Sequence, residues 1–301
     1  MMGYIYLALA LAGGLVKGFS GKKISRDVGG FKDSVFVNLI RMTLCTAIGA
    51  VLLVMQSGPE AFIISGNEIL ICVISAVCMC VFCVCWMCAY QSEAYMFLSV
   101  FTMLGSIVTC SLGLFMYEEP ISLPQWCGIG ILLTAVFVMS KYNKDVKGQK
   151  NFTREEIVIL VLGCLGASIS DFSQKVFVIE TGREAATLNF YIYAIGAILL
   201  LIVFSVLSLK DKSPRVSWEL LSMSNTLGYI GISAFLYLNS ICKTMAVGEG
   251  LSTAEIYPVL NGSNLICSAI LASILFKEKI AKKSIIGMAL AFVGIVLINL
   301  F

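Results

Sequence analysis

Apolar positions along this chain do not alternate with polar ones. They gather in ten long runs, each close to the roughly 20 residues a helix needs to cross a hydrocarbon layer. The runs cover Gly3–Ser20, Ser34–Met55, Ile69–Tyr90, Ala94–Tyr117 and Leu123–Ser140 in the first part of the chain. Glu156–Ile179, Ala185–Leu209, Leu221–Met245, Ser252–Phe276 and Ser284–Leu300 follow in the second. Runs of this length predict helices, since membrane strands are short and alternate. The third and fourth are separated by little more than Gln91-Ser92-Glu93, which predicts a tight turn. The first leads into Gly21-Lys22-Lys23 instead of a small-residue cleavage site, and reads as a retained helix.

The polar stretch from Lys141 to Arg154 divides the chain near its middle, and the parts on either side correspond. Tyr117-Glu118-Glu119-Pro120-Ile121 aligns with Phe276-Lys277-Glu278-Lys279-Ile280, and Gly128 with Gly287. Nearer the start of each part, Gly18-Phe19-Ser20-Gly21-Lys22 aligns with Asp171-Phe172-Ser173-Gln174-Lys175. Ile48-Gly49-Ala50 aligns with Ile195-Gly196-Ala197. The expected fold is therefore an all-α integral membrane protein of ten transmembrane helices, built as two five-helix repeats over residues 1–147 and 148–301. An odd number of spans per repeat makes the second copy enter the membrane from the opposite side, an inverted repeat of the kind found in secondary transporters.

Charge then orients the chain. One set of loops collects sixteen Lys and Arg residues, among them Lys22, Lys23, Lys32, Lys144, Lys147, Lys210 and Lys283; the other set has two, Arg183 and Lys243. Glu60, Glu68, Glu118, Glu119, Glu180 and Glu184 lie on that second face. The positive-inside rule makes the basic loops cytoplasmic and both termini non-cytoplasmic, in the plasma (inner) membrane.

Composition removes several function classes. Apolar residues make up 59% and charged residues 13% of the chain, too few charges for the polar shell of a soluble protein. A net charge of +3 without a basic, aromatic-laced patch does not suit nucleic acid. With no histidine in the chain, histidine bases, ligands and proton relays are excluded. No Gly-x-x-x-x-Gly-Lys loop offers direct ATP drive, and no nucleophile–base pair suggests an enzyme. Of the 12 cysteines, Cys72, Cys78, Cys80, Cys83, Cys85 and Cys88 share the third run. Cys80-x-x-Cys83 and Cys85-x-x-Cys88 have metal-like spacing, but ~100° per residue scatters such side chains around a helix. They read as small apolar packers, and no cofactor is expected.

Pro258-Val259-Leu260, followed by an apolar stretch to Leu275-Phe276-Lys277-Glu278-Lys279, resembles the second-repeat signature of the drug/metabolite transporter superfamily, EamA-like branch. Glu119 matches the acidic position of the first repeat, while Ser99 stands where its proline would be. The resemblance implies a carrier of small metabolites with a central cavity between the repeats. It also implies cytoplasmic termini, where the charge count gives the reverse.

The residues themselves nominate the site. An ionisable side chain inside a span costs about 2.5–3.5 kcal/mol on insertion scales and calls for a reason. Asp171 lies midway along the sixth span with Lys175 one turn on, so it either neutralises Lys175 or lines a transport path. Glu255 is an interfacial carboxylate or a gate and proton site. Lys17 and Arg41 either snorkel to the basic face or serve the path. Asn261 and Asn264 follow Pro258, which frees a helix carbonyl, and either line a polar site or bond between helices. The expected function is secondary transport of a small polar or amphipathic metabolite, amino-acid-like or drug-like, by alternating access in the efflux direction, with a coupling proton or ion. The alternatives are a sugar uptake carrier of the same fold, or a lipid-handling or assembly subunit that transports nothing.

In a cysteine-depleted background, an impermeant thiol reagent added to intact cells should label Glu118→Cys and spare Lys147→Cys. Labelling of the second and not the first overturns the orientation.

Overall fold

The computed structural model describes residues 2–25, 27–91, 95–147, 153–210, 220, 222–276 and 282–300. Ten helices follow one another: α1 (Met2–Ile24), α2 (Phe31–Ser57), α3 (Gly66–Gln91), α4 (Tyr95–Tyr117) and α5 (Leu123–Lys147), then α6 (Arg154–Thr181), α7 (Ala185–Lys210), α8 (Met223–Gly248), α9 (Thr253–Phe276) and α10 (Lys282–Leu300). A short 3-10 turn over Pro59–Phe62 precedes α3. No strand occurs among the described residues. Six helices (α1, α2, α3, α6, α7 and α8) are long and apolar enough over their described residues to cross a membrane. Large apolar side chains such as Val51, Leu70, Ile198, Ile202 and Leu227 point outward, a surface suited to lipid and not to water. Arg26, Lys150, Lys212, Arg215, Leu221, Lys277, Glu278, Lys279 and the Ser92-Glu93 turn, all used in the sequence reading, lie outside the described residues.

Four helices start on side chains supplied by their own first turn. Ser65 and Glu68 open α3, Ser122 and Gln125 open α5, Thr153 and Glu156 open α6, and Ser252 and Glu255 open α9. In each pair the hydroxyl accepts from the later residue's backbone N–H, and the later side chain accepts from the N–H of the Ser or Thr. These capping boxes satisfy donors that hydrocarbon would leave unpaired. Gly182, in the left-handed region at φ 61°, ends α6.

Packing follows a regular scheme. α1 lies along α8 and α3 along α6; α2 lies along α7 and α5 along α10, and α4 crosses α9. α3 meets α7 as α8 meets α2, and α4 meets α6 as α9 meets α1. Exchanging the first five helices for the last five in order leaves this scheme unchanged.

Glycine contacts carry the same correspondence to single residues. A Cβ on Gly13 would stand 3.0 Å from the Phe235 carbonyl and 3.1 Å from the Asn239 nitrogen of α8. A Cβ on Gly166 would stand 2.7 Å from the Cys78 carbonyl and 3.1 Å from the Phe82 nitrogen of α3. The register that sets Gly18 over Asp171 also sets Gly13 over Gly166. Likewise a Cβ on Gly49 would meet the Tyr237 ring, and one on Gly196 the Cys80 sulfur, both at 3.1 Å. Bare backbones let these helices approach closely, which is how helices associate where lipid removes the hydrophobic drive.

Cys45, Cys72, Cys80 and Cys83 sit in the main apolar core with Met42, Ile192, Tyr193 and Leu236. The Cys45 and Cys80 thiols donate to the Ser233 and Gly196 carbonyls on facing helices. These are packing roles.

Gly166→Val should lower the apparent melting temperature of the purified protein, consistent with an overpacking cost of about 1–3 kcal/mol. Gly130→Ala, where a Cβ meets nothing within 4 Å, should leave it unchanged or raise it. Equal tolerance of both would show that the α3–α6 contact does not bear on stability.

Candidate functional site

The buried charges of α6 take their partners from other elements. α6 carries Asp171 and Lys175 one turn apart, but they do not pair with each other. Asp171 accepts from the Lys243 ammonium of α8, and Lys175 donates to Glu119 in the α4–α5 connection. Of the two readings of Asp171, the one in which it neutralises Lys175 gives way to two pairs, each joining α6 to another element. Lys243, counted in the sequence as a loop charge, belongs to α8 and to the bundle interior. Its side chain is 11% exposed and that of Asp171 15%. The 3.6-residue period sets residues four apart near each other, but it does not reveal a partner on another helix.

Each pair is held by further bonds. The Tyr257 hydroxyl of α9 donates to the Asp171 carbonyl at 2.6 Å. Glu119 turns its second oxygen to the start of α9, accepting from the Thr253 hydroxyl at 2.8 Å and its backbone N–H at 3.1 Å. A carboxylate at a helix N-terminus also meets the positive end of the helix dipole. Lys175 lies 5.5 Å from the Tyr117 ring centre. Next to Lys175 in the chain, buried Gln174 accepts from Thr244 at 3.1 Å, and Thr244 in turn accepts from Asn189.

Toward the basic end, α1, α2 and α3 bring Lys17, Arg41 and Trp86 together. The Lys17 ammonium lies 5.8 Å and the Arg41 guanidinium 5.3 Å from the Trp86 ring centre. Arg41 is 1% exposed, so it does not snorkel to the basic face. It donates to Asn38 at 2.6 Å, and its Nε has no partner. Lys17 stands in the fields of Lys243, Arg41 and Asp171, which ties this group electrostatically to the α6–α8 pair.

The other nominated residues take smaller parts. Glu255 caps α9 through one oxygen and accepts from the Tyr4 hydroxyl of α1 through the other, at 3.2 Å. Glu68 divides its oxygens in the same way, between the cap of α3 and Arg183 at 2.7 Å. Asn261 bonds from α9 to Ser106 of α4 at 2.7 Å, an interhelical tie. Asn264 packs against Gly14 of α1, where an added Cβ would come within 2.9 Å of its oxygen. Among the described residues no cluster of side chains could hold a metal ion.

The sequence profile of the EamA-like transporter family matches residues 4–141 and again residues 154–300. The chain belongs to the EamA-like transporter family. It is therefore a multi-pass membrane transporter of the drug/metabolite type. A crystal structure of another protein superposes on this EamA-like chain with a TM-score of 0.69 over 98% of each chain at 12% identity, which shows the fold alone. No curated protein matches the chain in sequence.

Asp171→Asn should leave Lys243 as an unpaired buried cation and lower stability by about 3–5 kcal/mol. Adding Lys243→Gln should restore the melting temperature, and adding Lys175→Gln should not. Rescue by Lys175→Gln in place of Lys243→Gln would overturn the pairing.

Proposed function

We propose that this EamA-like protein is a secondary transporter that moves a small polar or amphipathic metabolite by alternating access, along a path between two inverted five-helix repeats. The observation that carries the reading is the series Lys17, Asp171–Lys243 and Lys175–Glu119. It sets charge from both halves inside the bundle, where an ionisable group serves a pathway more readily than it serves packing. The packing scheme supports the repeat, because it is unchanged when α1–α5 are exchanged for α6–α10. Five helices per half turn the second half over in the membrane.

Alternating access needs contacts that close one side and can be released. On the acidic face, four polar ties join the halves: Tyr4 to Glu255, Ser57 to Glu184, Glu68 to Arg183, and Tyr117 to Glu180. Each is a single hydrogen bond or ion pair near the helix ends, and three of the four are exposed, where such bonds are worth about 1 kcal/mol or less. Together they read as a closed outer gate, with the basic loops cytoplasmic.

The test is flux in proteoliposomes loaded with a panel of labelled organic solutes. A cysteine-depleted protein carrying Tyr4→Cys and Glu255→Cys should transport until a bifunctional thiol reagent bridges α1 and α9. Cleaving the bridge should restore flux. Full flux through the bridged protein would refute the gate, and absence of flux of any solute from the unbridged protein would refute transport.

A further inference from the structure

The geometry points to an oxyanion subsite at Lys17, Arg41 and Trp86, so that the transported solute carries a carboxylate or phosphate group. The inference rests on the transport reading above and names the substrate class of that path. Four cations stand inside the bundle among the described residues, Lys17, Arg41, Lys175 and Lys243, and only two carboxylates, Asp171 and Glu119, oppose them. The two carboxylates are taken by Lys175 and Lys243. Lys17 and Arg41 are left facing one indole. An indole face attracts a cation through its quadrupole but carries no net charge, so it softens two neighbouring positive charges without neutralising them. A bound anion would neutralise them.

Arg41 is also prepared for a ligand. Asn38 is fully buried, and its amide nitrogen donates to the Ser34 carbonyl at 2.8 Å and the Cys83 carbonyl at 3.2 Å. Those two bonds fix the amide so that its oxygen faces Arg41, and Arg41 Nη1 is held on it. The guanidinium is thereby clamped, while its buried Nε–H has no acceptor. A held guanidinium with a free Nε–H offers a charged, directed donor to an oxygen of a carboxylate or phosphate. Lys17 is half-buried and sets its ammonium over the same indole, beside the held guanidinium. The nearby Asp171–Lys243 pair would meet the rest of such a solute.

The test reads the site without knowing the solute. Trp126→Phe and Trp218→Phe leave Trp86 as the sole tryptophan. In detergent, iodide should quench Trp86 at least about tenfold more steeply than caesium, as expected where a cationic pocket concentrates counter-ions. Lys17→Gln should remove that preference and Lys17→Arg should keep it, so a misfolded single variant cannot imitate the result. Benzoate or inorganic phosphate should protect Trp86 from iodide; whichever protects at lower concentration identifies carboxylate or phosphate. Benzamide and benzylammonium should not protect. Equal quenching by iodide and caesium would overturn the proposal, as would a preference unchanged in Lys17→Gln. Protection only by phosphatidylglycerol in nanodiscs would overturn it too, by assigning the cations to a lipid headgroup. Flux separates the two readings. A protein that shows the anion preference but moves no solute would refute transport alone. One that moves benzamide without any anion preference would refute the oxyanion site alone.

Discussion

A charge buried where water is scarce has to meet an opposite charge or a strong dipole, and the architecture of this transporter is arranged around that requirement. α6 carries an acid and a base one turn apart. Had they neutralised each other, α6 would have been self-sufficient. Instead Asp171 reaches α8 and Lys175 reaches the α4–α5 connection. Tyr257 and Thr253 of α9 bond to the same two groups. Satisfying two charges on one helix therefore fixes α4, α6, α8 and α9 relative to one another. Breaking either pair would strand a charge among these helices.

Close backbone contact supplies the rest. Gly13 against α8 and Gly166 against α3 place two helix crossings in equivalent positions of the two halves. Apolar side chains cannot choose partners in a solvent as apolar as themselves, whereas a glycine admits a neighbouring backbone at one height only. Cysteine serves the same end. Small and weakly polar, it fits beside Gly196 and donates its thiol to that residue's carbonyl.

Helix number, order and much of the extent were legible in the sequence, because span length and hydropathy are set by the bilayer and need no tertiary information. The correspondence of Gly18 with Asp171 and of Gly49 with Gly196 was legible too, and the glycine contacts follow its register. Family membership showed in the motif near Pro258 and in the paired halves. Partners were not legible. Lys243 looked like a loop charge because it stands near the end of its run, and only the position of α8 against α6 brings it to Asp171. Arg41 looked able to snorkel, but Asn38 and Trp86 hold it inside. Trp86 carried no sequence signal beyond its size. The capping boxes of α3, α5, α6 and α9 stand in the sequence as Ser or Thr followed three residues later by Glu or Gln, at the polar edges of the apolar runs.

Glu68 and Glu255 each divide their two oxygens, one to the first turn of their own helix and one across to the other half of the protein. The division separates latch from hinge pin. Releasing Arg183 or Tyr4 frees one oxygen to water, while the other still holds the helix start in order. Either bond across the halves could therefore be lost with no fraying of the helix start and no donor stranded in lipid, so the tie between the halves and the order of the helix end are separable.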